Sequence, residues 1–303
     1  MNSAIRYGFF ILACILVLQN RLLSQPGTPQ LEQERARALQ LLSYTDTIRQ
    51  SIHWPHVTPK SYFENVKKNI GAPLLLSTGS GTNFCAFGAV SYTSLMNEPE
   101  RYATCMVDLY IYGEALYRHV RLSPSRPIKE AAGTLTYQGS LDKRPADQVW
   151  FLTLADRFKG YLNIFNLRYH PGDENTMWAA TNLAKFNRML RRLCKYKIGS
   201  HGFDIIRPGR RNLTAFFTEK LKQGEVYLYL NNTILRRKTH NRIRQKLPSH
   251  YVVLLALTAN AEGLTSIQYW DGEYRTIKEL TSRQLRQVLF GYSWGKYKEK
   301  IDE

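Results

Sequence analysis

The stretch HYVVLLALTAN, His250 to Asn260, restricts most sharply what this chain can fold into. Every residue from Tyr251 to Leu257 is apolar, with valine and leucine dominating, and such a run is the signature of a strand buried in a sheet. Two neighbouring stretches also read as strands. Glu225 to Leu230 alternates after a turn at Gly224, and LTSIQYWDGEY ends in the turn pair Asp271-Gly272. LTAFFTEKLKQ reads as a short helix, TIKELTSRQLRQVLF as a closing helix, and Tyr292-Ser293-Trp294 as the end of the fold.

The first half follows a different rhythm. Apolar residues recur at helical spacing over 85–96, 101–118, 147–165 and 176–195, and Pro99 is placed to start a helix. Helices followed by an antiparallel sheet imply an α+β fold, with a helical lobe packed on the sheet. The chain has 303 residues, 44% of them hydrophobic, which is enough for a sizeable core and argues against wholesale disorder. No internal repeat interrupts it.

The N-terminus has a character of its own. Arg6 precedes an apolar run of about eleven residues, Gly8 to Leu18, short beside the roughly twenty that a bilayer span needs. Residues 1–25 therefore read as an export signal or a short membrane anchor, placing the protein outside the cytoplasm or tethering it to a membrane. Cys14 follows a small residue, as in a bacterial lipoprotein signal, although the apolar run continues past it. Residues 26–61 read as a linker and one helix, and 62–303 as a single domain.

The net charge is +18, which favours contact with something polyanionic: nucleic acid, an anionic membrane or a cell-wall polymer. The basic runs at 190–197, 207–211 and 235–246 interleave few aromatics, so nucleic acid is disfavoured and an anionic surface preferred. The four cysteines, Cys14, Cys85, Cys105 and Cys194, show neither CxxC nor zinc spacing, so neither a metal nor a disulfide framework is expected. GSGTNF lacks the Lys-Ser/Thr of a phosphate loop, and no cofactor is expected.

Cys85 stands apart. It follows the polar loop SGTNF and opens a helix that reads as amphipathic. A helix N-terminus concentrates partial positive charge, which favours a thiolate, and a nearby imidazolium would add to it. His250 begins the apolar strand, and Asp271 ends the next one. Adjacent antiparallel strands bring such positions together, so Asp271 could hold the His250 ring in one tautomer. Cys105 sits among apolar residues at mid-helix and reads as core. Cys194 has flanking cations expected to lower its pKa, but no motif-like histidine.

A helix-borne Cys, then a strand-borne His, then an Asp on the next strand resembles the papain-like cysteine peptidase superfamily, in particular its compact bacterial branches, the bacteriocin-leader peptidases and secreted effector peptidases. TNFCAFGAV, SHYVVLLA and IQYWDGEY carry the resemblance, which spans about residues 75–295. It implies a papain-like fold and a Cys85-His250-Asp271 triad acting on a peptide or protein, cell-wall peptide included, with a cognate inhibitor as a further partner. It departs from the superfamily at Ala86, where many relatives have glycine, and at Gly79, where many carry an oxyanion-hole glutamine. Asn83 is the nearest amide for that role, beside the backbone N–H of Cys85. The same constellation serves amidases, deamidases and transglutaminases. The alternative is an inactive papain-like module presenting a basic face.

Overall fold

The computed structural model describes residues 28–204, 208–209, 212–231, 249–260, 264–273 and 275–297. The expected export signal or anchor and the basic run 235–246 lie outside them, as do 207 and 210–211 of the middle basic run. Among the described residues no helix is long and apolar enough to cross a membrane.

The chain is mixed α+β. Four helices come first: α1 (Pro29–Ser43), α2 (Pro59–Gly71), α3 (Cys85–Asn97) and α4 (Pro99–Tyr112). A small hairpin, β1 (Ala115–Tyr117) and β2 (Val120–Leu122), leads to α5 (Arg126–Ala131), α6 (Pro145–Arg157) and α7 (Leu183–Leu193). Then come β3 (Tyr196–Gly202), α8 (Leu213–Gln223), β4 (Glu225–Leu230), β5 (His250–Ala259), β6 (Leu264–Trp270), β7 (Arg275–Thr281), α9 (Ser282–Val288) and β8 (Leu289–Tyr297). The main sheet is antiparallel throughout, in the order β3-β8-β4-β5-β6-β7.

Alternation along the central strands explains the apolar run that opens β5. Tyr227, Tyr229, Tyr251, Val253 and Trp270 join the core of the helical lobe. Val226, Leu228, Val252, Leu254 and Ile267 face the other way, onto Leu213 and Phe217 of α8 and Leu285 and Val288 of α9. Both faces are covered, so β5 cannot alternate apolar with polar. Ala38, Leu42, Trp54 and Val57, from the stretch read as linker and helix, are fully buried in the helical-lobe core.

Helix α3 runs through the middle of that lobe. Ala86 to Leu95 are all buried, so it is not the amphipathic helix expected from its sequence: it meets protein on every side. Its hydroxyls are satisfied locally. Ser91 donates to the Phe87 carbonyl (2.7 Å) and accepts from Trp150 Nε1 (2.6 Å), and Thr93 donates to Ala89 O (3.0 Å).

Several expected boundaries move for local reasons. The helix expected over 101–118 stops at Tyr112, where Gly113 takes a left-handed φ of 68° against the His53 ring, 2.5 Å from where a Cβ would stand. The helix expected over 147–165 ends at Arg157, and the one expected over 176–195 begins only at Leu183, capped by Asn182 accepting from Lys185 N at 2.7 Å. The expected closing helix is β7 followed by α9, divided at Thr281, whose side chain and Gln284 form a capping box. Tyr292-Ser293-Trp294 lies within β8, between β3 and β4. β3 itself has no counterpart in the sequence reading.

Gly88 tests this packing. A Cβ there would stand 2.2 Å from Thr78 Cγ2 and 3.1 Å from the Trp270 ring. Gly88→Ala should cost roughly 1–3 kcal/mol in urea unfolding. Gly71→Ala, with nothing within 4 Å, should change stability by less than about 0.5 kcal/mol. Equal effects at the two glycines would contradict the packing.

Candidate active site

Cys85 is the first residue of α3. The first N–H groups of a helix have no intrahelical partner, and the preceding Phe84 supplies no side-chain acceptor for those at the Cys85 end of α3. The loop before it is fixed by left-handed Gly79 and Gly81 and by Thr82 donating to Thr78 O at 2.6 Å. Gly79 explains the missing glutamine: besides its φ of 81°, a Cβ there would stand 2.9 Å from Leu141 Cδ2.

The structure brings Cys85, His250 and Asp271 together. Asp271 Oδ1 bonds His250 Nε2, and Cys85 is within hydrogen-bonding reach of the same imidazole. Asp271 holds Nε2, so Nδ1 is the nitrogen left to face the sulfur. The positions of all three follow from their elements. His250 opens β5 in register with Leu230 of β4, and the preceding Ser249 N–H donates to Leu230 O at 3.0 Å. Asp271 directly follows Trp270, whose ring stacks on Tyr92 of α3 at 5.0 Å and whose Nε1 donates to Leu74 O at 3.1 Å. Two residues on, Glu273 N donates to Leu76 O at 2.8 Å. The end of β6 is thus clamped to the start of the helical lobe.

Burial works against charge on the imidazole. The hydrogen bonds to Asp271 and Cys85 and their Coulomb attraction outweigh it, raising His250 to about 10. Cys105 and Cys194 are buried away from the site, and burial pushes both thiols up, Cys194 to about 12. The cations flanking Cys194 in sequence do not lower it as expected, because desolvation, and next the carboxylate of Glu225, dominate.

Asn83 lies beside Cys85, but its amide is partly committed. Nδ2 donates to Thr176 O at 2.9 Å, and its backbone N–H donates to Glu174 O at 2.7 Å. One Nδ2 hydrogen remains. A cavity of about 330 Å³ opens at the sulfur, walled by Tyr161, Leu162, Met177, Ala180, Tyr229 and Tyr251, with Asp204 at its side. These walls were missed from sequence. Tyr229 and Tyr251 stack at 4.3 Å, and Phe186 stacks on Tyr251 at 4.4 Å. The alternating tyrosines of EVYLYL are the signal that could have revealed part of this wall. Lys185 was also missed. It is buried behind the cavity, donating to Ala180 O (2.8 Å) and Asn163 Oδ1 (3.3 Å). Burial, then the nearby Lys159 and Arg188, bring its ammonium down to about 7. Among the described residues, no group of His, Cys, Asp and Glu is placed to hold a metal ion. No protein-family model matches the chain, and no curated protein matches it.

His250 and Lys185 push the pH dependence of stability in opposite directions. Between about 6.5 and 10 the folded state holds the His250 proton more tightly than the unfolded chain, so that contribution, complete below 6.5, is lost as pH rises. Between about 7 and 10.5 the unfolded chain keeps a Lys185 proton that the folded state releases, so stability rises with pH there. Relative to wild type, Asp271→Asn should remove much of the falling contribution and Lys185→Met the rising one. Urea unfolding across that range measures both. Parallel profiles for the two variants would contradict the assignment.

Proposed function

We propose that the protein is a cysteine hydrolase of papain-like fold that acts by acyl transfer through Cys85, with peptide or protein as substrate. The convergence of His250 and Asp271 on Cys85, which itself lines a cavity, carries this reading. The Cys85 thiol gives its proton to the His250 imidazole, which the contact with Asp271 makes more basic, and the imidazolium forms. Sulfur attacks the substrate carbonyl, and a C–S bond forms while the carbonyl oxygen gains the charge. The Cys85 N–H and the remaining Asn83 hydrogen would face that oxygen. As the C–N bond breaks, the imidazolium gives its proton to the leaving amine. Water, deprotonated by the now neutral imidazole, then attacks the thioester, and the sulfur leaves as thiolate. Asp271 keeps the ring in the tautomer this sequence needs. With an export signal or anchor expected at 1–25, cell-wall peptide or a target-cell protein fits as substrate.

The test is covalent labelling and turnover. Treated with a peptidyl vinyl sulfone, the full chain should gain an adduct that mass spectrometry maps to Cys85 and that Cys85→Ala abolishes, with the buried Cys105 and Cys194 unlabelled. On a mixed peptide library, Cys85→Ala should lower cleavage at least about a thousandfold and Asp271→Asn roughly a hundredfold or more. Cleavage that survives Cys85→Ala would overturn the proposal.

A further inference from the structure

The segment between α6 and α7 is built inside out. It buries its polar residues: Asn163 donates to Trp178 O (2.8 Å), and Asp173 Oδ1 accepts from Asn166 (3.0 Å) and Thr176 (2.9 Å). Glu174 is also buried and accepts from the Tyr169 hydroxyl. Phe158, Tyr169 and Trp178 are buried as well, but several other apolar residues of the segment face outward. Phe165 is 100% exposed, and Tyr161, Ile164, Leu167 and Met177 are each more than half exposed. Phe203, on the far side of α7 in sequence, is 60% exposed. A loop that only had to be soluble would be turned the other way, and clustered exposed apolar side chains mark a surface that meets something apolar.

The charges around the loop narrow what that is. Residues 158–204 carry eight Lys and Arg but only three carboxylates: Asp173 and Glu174 are buried, and Asp204 accepts from the Tyr161 hydroxyl. Arg168 is exposed within the loop, and Arg188, Arg191 and Arg192 line the exposed face of α7. That face adjoins the loop, because the Arg188 guanidinium donates to the Lys159 carbonyl, two residues before Tyr161. We propose that this surface docks on an anionic phospholipid bilayer, with Ile164, Phe165 and Leu167 entering the headgroup boundary and the α7 arginines contacting lipid phosphates and carboxylates. Apolar side chains at the tip with a cationic flank match the two layers of such an interface, and the net charge of +18 favours approach to it. Tyr161 and Met177 belong both to the exposed loop and to the cavity wall, so docking would hold the cavity mouth at the membrane surface.

Docking does not depend on acyl chemistry, so Cys85→Ala should bind like wild type. The probe is an indole introduced by Phe165→Trp in the full chain, read by quenching with brominated acyl chains. Four of the five native tryptophans are buried and Trp294 is partly so, which keeps the background low. On vesicles of brominated phosphatidylcholine mixed with phosphatidylserine, the variant should be quenched more than wild type. Arg191→Ala with Arg192→Ala, or added salt, should reverse this, and Phe165→Ser in the native chain should weaken vesicle partitioning roughly tenfold. Vesicle binding without extra quenching would show that another part of the chain contacts the bilayer and would overturn the proposal. So would no binding, or equal quenching on phosphatidylcholine alone.

Discussion

The Trp270 indole is the joint on which the candidate site depends. It is stacked on Tyr92 of the nucleophile helix and hydrogen-bonded to the Leu74 carbonyl. It fixes the end of one strand against the helical lobe, and the next residue is Asp271. Gly88 makes the approach feasible, because any side chain there would collide with Thr78. Gly272, on the other side of Asp271, also lies against Thr78, with a Cβ position 2.6 Å from its Oγ1. Packing on both sides of Asp271 thus helps to place its carboxylate.

The cavity wall is held by hydrogen bonds from polar side chains. Asn83 ties the loop before the nucleophile to Thr176, while Asn163 and Lys185 tie the opposite wall to Trp178 and Ala180. Keeping Lys185 buried lowers its ammonium toward neutrality, and the contacts of His250 raise its imidazole. Two bases shifted in opposite directions, one on β5 and one on α7, leave the pH profile of the whole protein a poor guide to either. Only the differences between variants separate them.

The three central strands and the meeting of Cys85, His250 and Asp271 were legible from sequence, because each depends on local pattern: a two-sided apolar run, a turn pair, a polar loop opening a helix. The outer parts of the sheet were not. β3 carries Lys197, Gly199, Ser200 and His201, so it has little apolar signal, and β8 contains two glycines, Gly291 and Gly295, which weaken a strand pattern. Their pairing is visible only in tertiary register, Gly199 against Trp294, where a Cβ would fall 2.3 Å from the indole. Helix ends were misjudged where a glycine cap (Gly113) or a side-chain cap (Asn182, Thr281) overrode apolar periodicity. The inverted 158–177 segment could not be read at all, since its apolar residues have helical spacing while its backbone follows the hydrogen bonds of Asn163 and Asp173.

The central claim is that His250 acts directly on the Cys85 sulfur. The rate of iodoacetamide alkylation at Cys85 near neutral pH, compared between the native chain and His250→Ala, tests it most directly. The account predicts that the native chain reacts roughly tenfold faster or more, because the imidazolium supports the reactive anion. Equal rates in a folded His250→Ala protein would contradict it.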